Sequence, residues 1–371
     1  RNNNSYVAQD EGAWYCMCRQ VEMIGYLLGD TRTSLRAQHL ASRIKANYLR
    51  TFFDHKTGFL FDSIDSRTGK RIGAYTLFTL LFLHSSIGFS VIEDHEEALG
   101  KFVRKNFFQE HGVAMTPKWN KYHGSEISTA AWYPHWDIYP IKLLRRLGDT
   151  ESLLRWLDLV GDCYRRLGYC PELVSLKPEH IHAEKRWTHH GSPWNLNCAT
   201  GWYKTLVEGI VGIESDIGGL TYIPCPLPFE AELTGLHFRH SIWDIKTRGR
   251  GTEVEAFIVD GVKTESTYKI PKKFYRSGRH TLEIRYGKKR KPRIIITEIR
   301  GGELTSIETS DNDVRAAVNC FGSSTLVFTS PGKPSVHVDG KDTQISWNEA
   351  RHSGIAEILA PGKHVVALER L

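Results

Sequence analysis

Leu147-Gly148-Asp149-Thr150 separates two helical patterns, and the same punctuation stands earlier as Leu28-Gly29-Asp30-Thr31. Glycine at the end of an apolar run takes the left-handed conformation that terminates a helix, and the Asp or Thr that follows accepts the first free N–H groups of the next one. The helix expected after the second copy spans 150–167, where Leu153, Leu154, Leu157, Val160, Tyr164 and Leu167 fall on one face at helical spacing. A tight Gly-Asp turn between two such helices makes an antiparallel hairpin, and hairpins of this kind set the architecture of the first half of the chain.

Helical segments are expected at 12–28, 33–53, 72–87, 94–108, 130–147, 150–167 and 197–213. The two Leu-Gly-Asp-Thr turns are about two periods of roughly 60 residues apart. Gly88 falls midway and Gly212 one period later. A second loop recurs as Thr57-Gly58-Phe59-Leu60-Phe61, His111-Gly112-Val113-Ala114-Met115 and Leu167-Gly168-Tyr169-Cys170-Pro171. The unit is therefore helix, tight turn, helix, longer loop, stacked so that each pair buries its face on its neighbours. The long loops carry Trp119, Trp132, Trp136, Trp187, Trp194, His123, His135, His180, His182, His189 and His190, so one rim is furnished with aromatic and polar groups. That favours a ring over an open solenoid.

From about Gly219 the texture changes to short alternating runs, at 253–259 and 281–284, followed by the β-branched stretch 293–299. Val259-Asp260-Gly261 returns as Val338-Asp339-Gly340, and Ser277-Gly278-Arg279-His280-Thr281 returns as Ala360-Pro361-Gly362-Lys363-His364. Asp-Gly between β-rich runs marks a hairpin. The expected organisation is a helical domain over 1–219 and an antiparallel β-sandwich region over 220–371, the latter built from two similar units at about 232–290 and 291–371.

The 371 residues are 40% hydrophobic and 25% charged, which excludes wholesale disorder and a polytopic membrane protein. The longest apolar stretch, 74–83, is broken by Thr76 and Thr79 and reads as a core helix too short to cross a bilayer. Net charge is +7, with 42 acidic residues in the balance; no aromatic-interleaved basic motif indicates nucleic acid, and the basic run 288–293 reads as a solvated hairpin turn. The seven cysteines are irregularly spaced and read as free thiols. His180-Ile181-His182 and His189-His190 lack the i, i+4 spacing of two metal ligands on one helix face, so neither metal nor cofactor is expected.

Five segments come in a recognisable order: Gly58-Phe59-Leu60-Phe61-Asp62; Phe107-Phe108 with Gly112-Val113-Ala114-Met115-Thr116-Pro117; Ser128-Thr129-Ala130-Ala131-Trp132-Tyr133-Pro134-His135-Trp136-Asp137; Tyr169-Cys170-Pro171-Glu172; and His189-His190-Gly191-Ser192-Pro193-Trp194. Over residues 10–213 this order resembles the inverting glycosidases with an (α/α)6 toroid, particularly glycoside hydrolase family 63 and its debranching-type relatives. The phosphorylase group, whose toroid also adjoins a β-sandwich, is the alternative within that architecture. The resemblance implies a carbohydrate substrate and a catalytic base at Glu172. It also implies a partial toroid here, since a closed ring has twelve helices and seven are legible; the remainder, and the family's general acid, are expected upstream of Arg1. Pro171-Glu172-Leu173 departs from the family, which usually has an aromatic residue just after the base.

Inverting hydrolysis needs two carboxyl groups about 6.5–9.5 Å apart, one delivering a proton to the leaving oxygen and the other activating water. Glu172 is the expected base. Asp10 and Glu11 are the early acids able to serve as the acid, or to cap the first helix. Asp137 either caps an inner helix or contacts sugar or the reaction. Trp119, Trp132, Trp136 and Trp194 are the expected stacking platforms for pyranose rings, with His135, His189 and His190 as hydrogen-bonding groups. Two other readings compete: a polysaccharide lyase acting on a uronate-containing glycan with Tyr, His and Arg, and a glycan-binding protein without turnover.

Overall fold

The computed structural model describes residues 5–123, 130–176, 196–288, 293–310 and 312–370. A helical region precedes the antiparallel sheets, and the chain separates into two compact units, Arg1–Met17 with Leu40–Ile210, and Cys18–His39 with Val211–Leu371. The break at 210/211 lies near the change of texture at Gly219. The end of the first helix and the start of the second, however, group with the sheets. No helix among the described residues is long and apolar enough to cross a membrane.

The helices are α1 (Ala8–Leu27), α2 (Thr31–Phe52), α3 (Glu96–Asn106), α4 (Ile138–Arg146), α5 (Thr150–Leu167) and α6 (Leu196–Lys204). The two Gly-Asp turns form as expected. Gly29 and Gly148 sit at φ 74° and 69°, and the Asp30 and Asp149 carboxylates accept from the N–H of Thr33 (3.0 Å) and Ser152 (3.1 Å). Helix α5 occupies 150–167, but its buried line is Leu153, Trp156, Val160 and Cys163, with Tyr164 turned outward.

Three expected helices differ. Instead of one helix over 72–87, a short strand (Arg71–Ile72) leads to 3-10 segments at Leu77–His84 and Ser86–Val91. Ser85 interrupts them in an extended conformation, its Oγ accepting from the Ile87 N–H. Gly88 does not end a helix; it lets the chain pass the Phe82 carbonyl so closely that a Cβ would lie 2.0 Å from that oxygen. Over 130–147, a strand pair (Ala131–Trp132) and a 3-10 turn (Pro134–Trp136) come before α4. Over 197–213, α6 widens into a π-helical turn at Thr205–Val211, where the buried Arg145 guanidinium donates to the carbonyls of Gly209 (3.1 Å) and Ile210 (2.7 Å).

Within the helical unit, contacts fix the relative direction of several elements. Phe78 meets Trp136 at the start of two of them, and the His84 carbonyl accepts from Lys142 Nζ (3.2 Å) further along, so 77–84 and α4 run parallel. Gly201 abuts His135 and Gly209 abuts Ile141, so α6 and its π turn follow the same direction. The Ala8 N–H and the Thr76 N–H both bond Asp62, and the Cys16 thiol reaches the Phe82 carbonyl, so α1 enters alongside 77–84. The N-terminal ends of these four parallel elements therefore share one rim. Following α2 and α3 are hairpins of two-residue strands, pairing Phe53–Asp54 with Phe59–Leu60 and Phe108–Gln109 with Gly112–Val113. These are the recurring second loops of the sequence. The structure shows helix pairs of this kind; a closed ring is not shown.

In the β unit, one sheet contains β1 (Ala231–Phe238), β2 (Ser241–Arg248), β3 (Glu253–Val259), β4 (Val262–Thr264) and β5 (Gly278–Gly287), in the order β1-β2-β5-β3-β4. One pair, β2 with β5, is parallel, contrary to an all-antiparallel expectation. The other sheet contains β6 (Ile295–Thr309), β7 (Asp313–Thr329), β8 (Ser335–Val338), β9 (Lys341–Asp342), β10 (Ile345–Asn348), β11 (Ser353–Ile358) and β12 (Gly362–Glu369), ordered β9-β8-β12-β7-β11-β10 with β6 also on β7. Each sheet has its own apolar core, one around Trp243, Phe257 and Ile284, the other around Phe328, Leu326 and Leu368.

The sequence echo has a physical basis. Asp260 and Asp339 both take left-handed φ (50° and 52°) ahead of Gly261 and Gly340. In each case a histidine of the neighbouring strand reaches the turn aspartate, His280 Nδ1 to Asp260 and His364 Nδ1 to Asp339, both at 2.7 Å. The other ring nitrogen reaches the carbonyl of Arg276 (2.9 Å) or Ala360 (3.0 Å), and the turn carboxylate also accepts a backbone N–H from Thr281 or Val365 (both 2.9 Å). Burial beneath Trp243 depresses the His280 pKa, but the Asp260 carboxylate and the Arg276 carbonyl outweigh it, and the imidazole titrates above its ordinary value of 6.5. The fold thus favours the imidazolium; its stabilisation is complete below about 6.5 and is lost as pH rises through the folded value. The melting-temperature advantage of the wild type over His280→Asn is expected to shrink between about pH 6 and about pH 8, read by calorimetry.

Candidate functional site

The rim of the helical unit brings together a carboxylate, an imidazole, a thiol and three aromatic rings. Its frame is the antiparallel pairing of Ala131–Trp132 with Val174–Ser175, in register Ala131↔Ser175 and Trp132↔Val174. Gly168, at φ 73°, ends α5 and turns the chain back toward this pair. Glu172 lies two residues before the strand and Pro134 two residues beyond it, so the pairing sets Glu172 beside Tyr133-Pro134-His135.

His135 hydrogen-bonds the backbone of Glu172, and its Nδ1 stands 3.5 Å from Cys198 Sγ on α6. Loss of hydration lowers the His135 pKa despite the nearby Glu172 carboxylate, so the neutral imidazole is the form held at neutral pH. Burial and the Glu172 charge push the Cys198 thiol up to about 12 and raise the Tyr133 phenol. A thiol held protonated in this way is no nucleophile. Trp136 stacks on Tyr133 with centroids 4.4 Å apart and meets Phe78 edge-on at 4.0 Å. Phe78, Tyr133, His135, Trp136 and Glu172 are all half-buried, which leaves each a solvent-facing portion.

A second aromatic pair adjoins this one along the chain. Trp119, 58% exposed, is fixed by donating to Asn106 Oδ1 (2.8 Å) and lies 5.6 Å from the Tyr75 ring. Tyr75, three residues before Phe78, has φ 51°, an unfavourable value for an aromatic residue. It is held there by Asp62, which accepts from its N–H (2.5 Å), and by Asp54, which accepts from its hydroxyl (2.8 Å). Burial and the Asp54 hydrogen bond push its phenol up to about 12.

Two expected site residues lie beneath the rim. Asp137 is fully buried, and its Oδ2 accepts from the indole N–H of both Trp132 and Trp156 at 2.7 Å. It makes no side-chain cap for α4. Burial raises its pKa well above the ordinary carboxylate range. Trp132 is also fully buried, so it offers no face to a ligand in this structure and is held as core by Asp137. Asp10 is exposed in the first turn of α1, beside Gln9. Its neighbour Glu11 is half-buried, and burial together with the Asp10 charge raises its pKa. His180, His182, Trp187, His189, His190 and Trp194 lie outside the described residues.

Sequence reasoning missed Phe78, Tyr133 and Cys198. Tyr133 stood in the quoted Trp-Tyr-Pro-His-Trp segment, whose 3-10 turn sets it over Trp136. Phe78 was hidden in a run of uniformly apolar residues. Among the described residues no group of three or more His, Cys, Asp or Glu is arranged to hold a metal ion, and none of the seven cysteines is cross-linked.

No family model matches the sequence, and no curated protein matches it. Among solved structures, 43 chains match. One is an alpha-L-rhamnosidase from Dictyoglumus thermophilum, 12% identical, with a TM-score of 0.34, the match covering 96% of this chain and 31% of that one. The chain thus spans about a third of the length of that protein.

Proposed function

We propose that the helical unit is the saccharide-binding part of an inverting glycoside hydrolase, with Glu172 as the general base. The observation that carries this is the setting of Glu172: a half-buried carboxylate beside a neutral imidazole and a Tyr133–Trp136–Phe78 aromatic face, on a rim shared by the starts of several helices. Aromatic faces suit the C–H side of a pyranose, and His135 suits a sugar hydroxyl. Trp119 and Tyr75 extend the same chemistry to a neighbouring ring.

Glu11 is the proposed general acid. Burial and the adjacent Asp10 charge raise its pKa, the direction in which a carboxyl that delivers a proton to a leaving oxygen is tuned. Glu172 would take a proton from water on the opposite face of the ring. A second reading, glycan binding without turnover, is favoured by the burial of Asp137, which removes one of the carboxyl groups otherwise available to pair with Glu172.

The test is hydrolysis of an oligosaccharide panel, followed by reducing-end release and by proton NMR of the first-formed anomer. Inversion is the expected outcome; retention contradicts the two-carboxylate mechanism as assigned, and binding without release favours the second reading. Trp136→Ala is expected to raise KM about tenfold or more with a smaller change in kcat, because it removes binding common to ground and transition states.

A further inference from the structure

We infer that a cleft on the β unit, separate from the helical rim, binds an anionic saccharide. The cleft, of about 270 Å3, opens between the edge strand β4, the segment that follows it, and the outer end of β6. Its size is just below the range of small-ligand pockets, enough for about one sugar ring of a longer glycan. Thr305, Ser306 and Thr309, all exposed, line one side, and Lys263 and Lys273 the other.

The charge balance selects an anion. Among the described residues Glu265 is the one carboxylate in the lining, and it is already matched: Lys263 Nζ lies 3.3 Å from one oxygen and an Arg293 guanidinium nitrogen 3.1 Å from the other. Lys273 is exposed and pairs with no carboxylate among the described residues; its ammonium rests over the Phe274 ring at 5.1 Å. An anionic group entering beside Lys273 therefore gains an unmatched cation without displacing an existing pair.

The lining chemistry selects a saccharide over a flat apolar ligand. The strand end carries three hydroxyl residues, Thr305, Ser306 and Thr309, able to meet ring hydroxyls, and Val262, Pro271 and Ile307 are the apolar residues of the lining. Among the described residues no aromatic ring lines the cleft, so a neutral sugar lacks there the stacking platform that would hold it. Carboxylated and sulfated sugars present the same chemistry to these groups.

The experiment is calorimetric titration of the full chain carrying Glu172→Gln, with chromatography of each glycan after the titration to show that it stayed intact. The probes are a hexagalacturonate, a heparin-derived hexasaccharide and maltohexaose. An acidic saccharide is expected to bind and maltohexaose to bind at least about tenfold more weakly at this cleft. Lys273→Glu, and separately Thr305→Trp to fill the cleft, are each expected to weaken acidic-saccharide binding about tenfold or more. Lys341→Glu, on the β8–β9 hairpin outside the cleft, is expected to leave it unchanged. Binding stronger for either acidic probe supports the assignment and identifies its anion. Absence of binding by both acidic probes, equal binding by maltohexaose that Lys273→Glu also weakens, equal weakening by Lys341→Glu, or indifference to both cleft variants overturns it.

Discussion

Asp137→Ala is expected to destabilise the helical unit by about 2–6 kcal/mol, because it orphans two buried indole N–H groups at about 1–3 kcal/mol each. Trp132 and Trp156 are both fully buried, and each donates to Asp137 Oδ2 at 2.7 Å. Asp137→Asn is expected to behave differently, since an amide carbonyl can accept both N–H groups and burial already disfavours the charged carboxylate. The pH dependence follows in sign. With the folded pKa raised, the native state holds a proton that the unfolded chain releases above about 3.8, so the wild type loses stability as pH rises from there toward the folded value. Asp137→Asn removes that dependence. Thermal melts of the three proteins between about pH 4 and about pH 8 check it; an alanine variant as stable as the wild type contradicts the role given to this carboxyl.

Glu22→Ala is expected to cost the β unit about 3–5 kcal/mol, the range for removing one partner from a buried charge cluster. Glu22, 1% exposed on α1, accepts from Ser323 N (2.7 Å) and Ser323 Oγ (2.8 Å) through one oxygen and meets Arg19 Nε (3.0 Å) with the other. Ser323 belongs to the long strand β7, and Gly322 before it leaves no space for a side chain, since a Cβ there would lie 2.9 Å from the Glu22 carboxyl carbon. A buried carboxylate on a helix thus holds the backbone of a distant strand. Glu22→Gln keeps a carbonyl for the Ser323 N–H while losing the pairing with Arg19, so its loss is expected to be smaller than that of alanine. Calorimetric unfolding distinguishes the two variants, and equal stability of Glu22→Ala and wild type contradicts the account.

Local rules made much of this architecture readable from sequence. Gly29-Asp30 and Gly148-Asp149 end and restart helices because the αL glycine and the capping carboxylate act within four residues. Helix α5 could be bounded for the same reason. The paired Asp-Gly turns were visible as an echo, and their histidine latches explain why His280 and His364 recur with them. What was not readable depends on tertiary contact. Residues 72–87 carry no polar face to phase a helix, and their 3-10 path is set by Gly88 passing Phe82. The parallel pairing of β2 with β5 has no local signature. Asp137, at the start of α4, offered a capping or a sugar-binding role by position; only the approach of Trp156 from another helix makes it a buried acceptor. Glu172 could be singled out in its loop, but its neighbours Tyr133 and Cys198 come from strand register and from α6.

The central claim is that Glu172 is the proton acceptor on this aromatic rim, and Glu172→Gln tests it most directly when turnover and binding are measured on the same variant. Hydrolysis is expected to fall by about 10²–10⁴-fold, the usual contribution of a general base, with glycan affinity and melting temperature preserved. Hydrolysis at the wild-type rate by a folded Glu172→Gln protein would contradict the assignment.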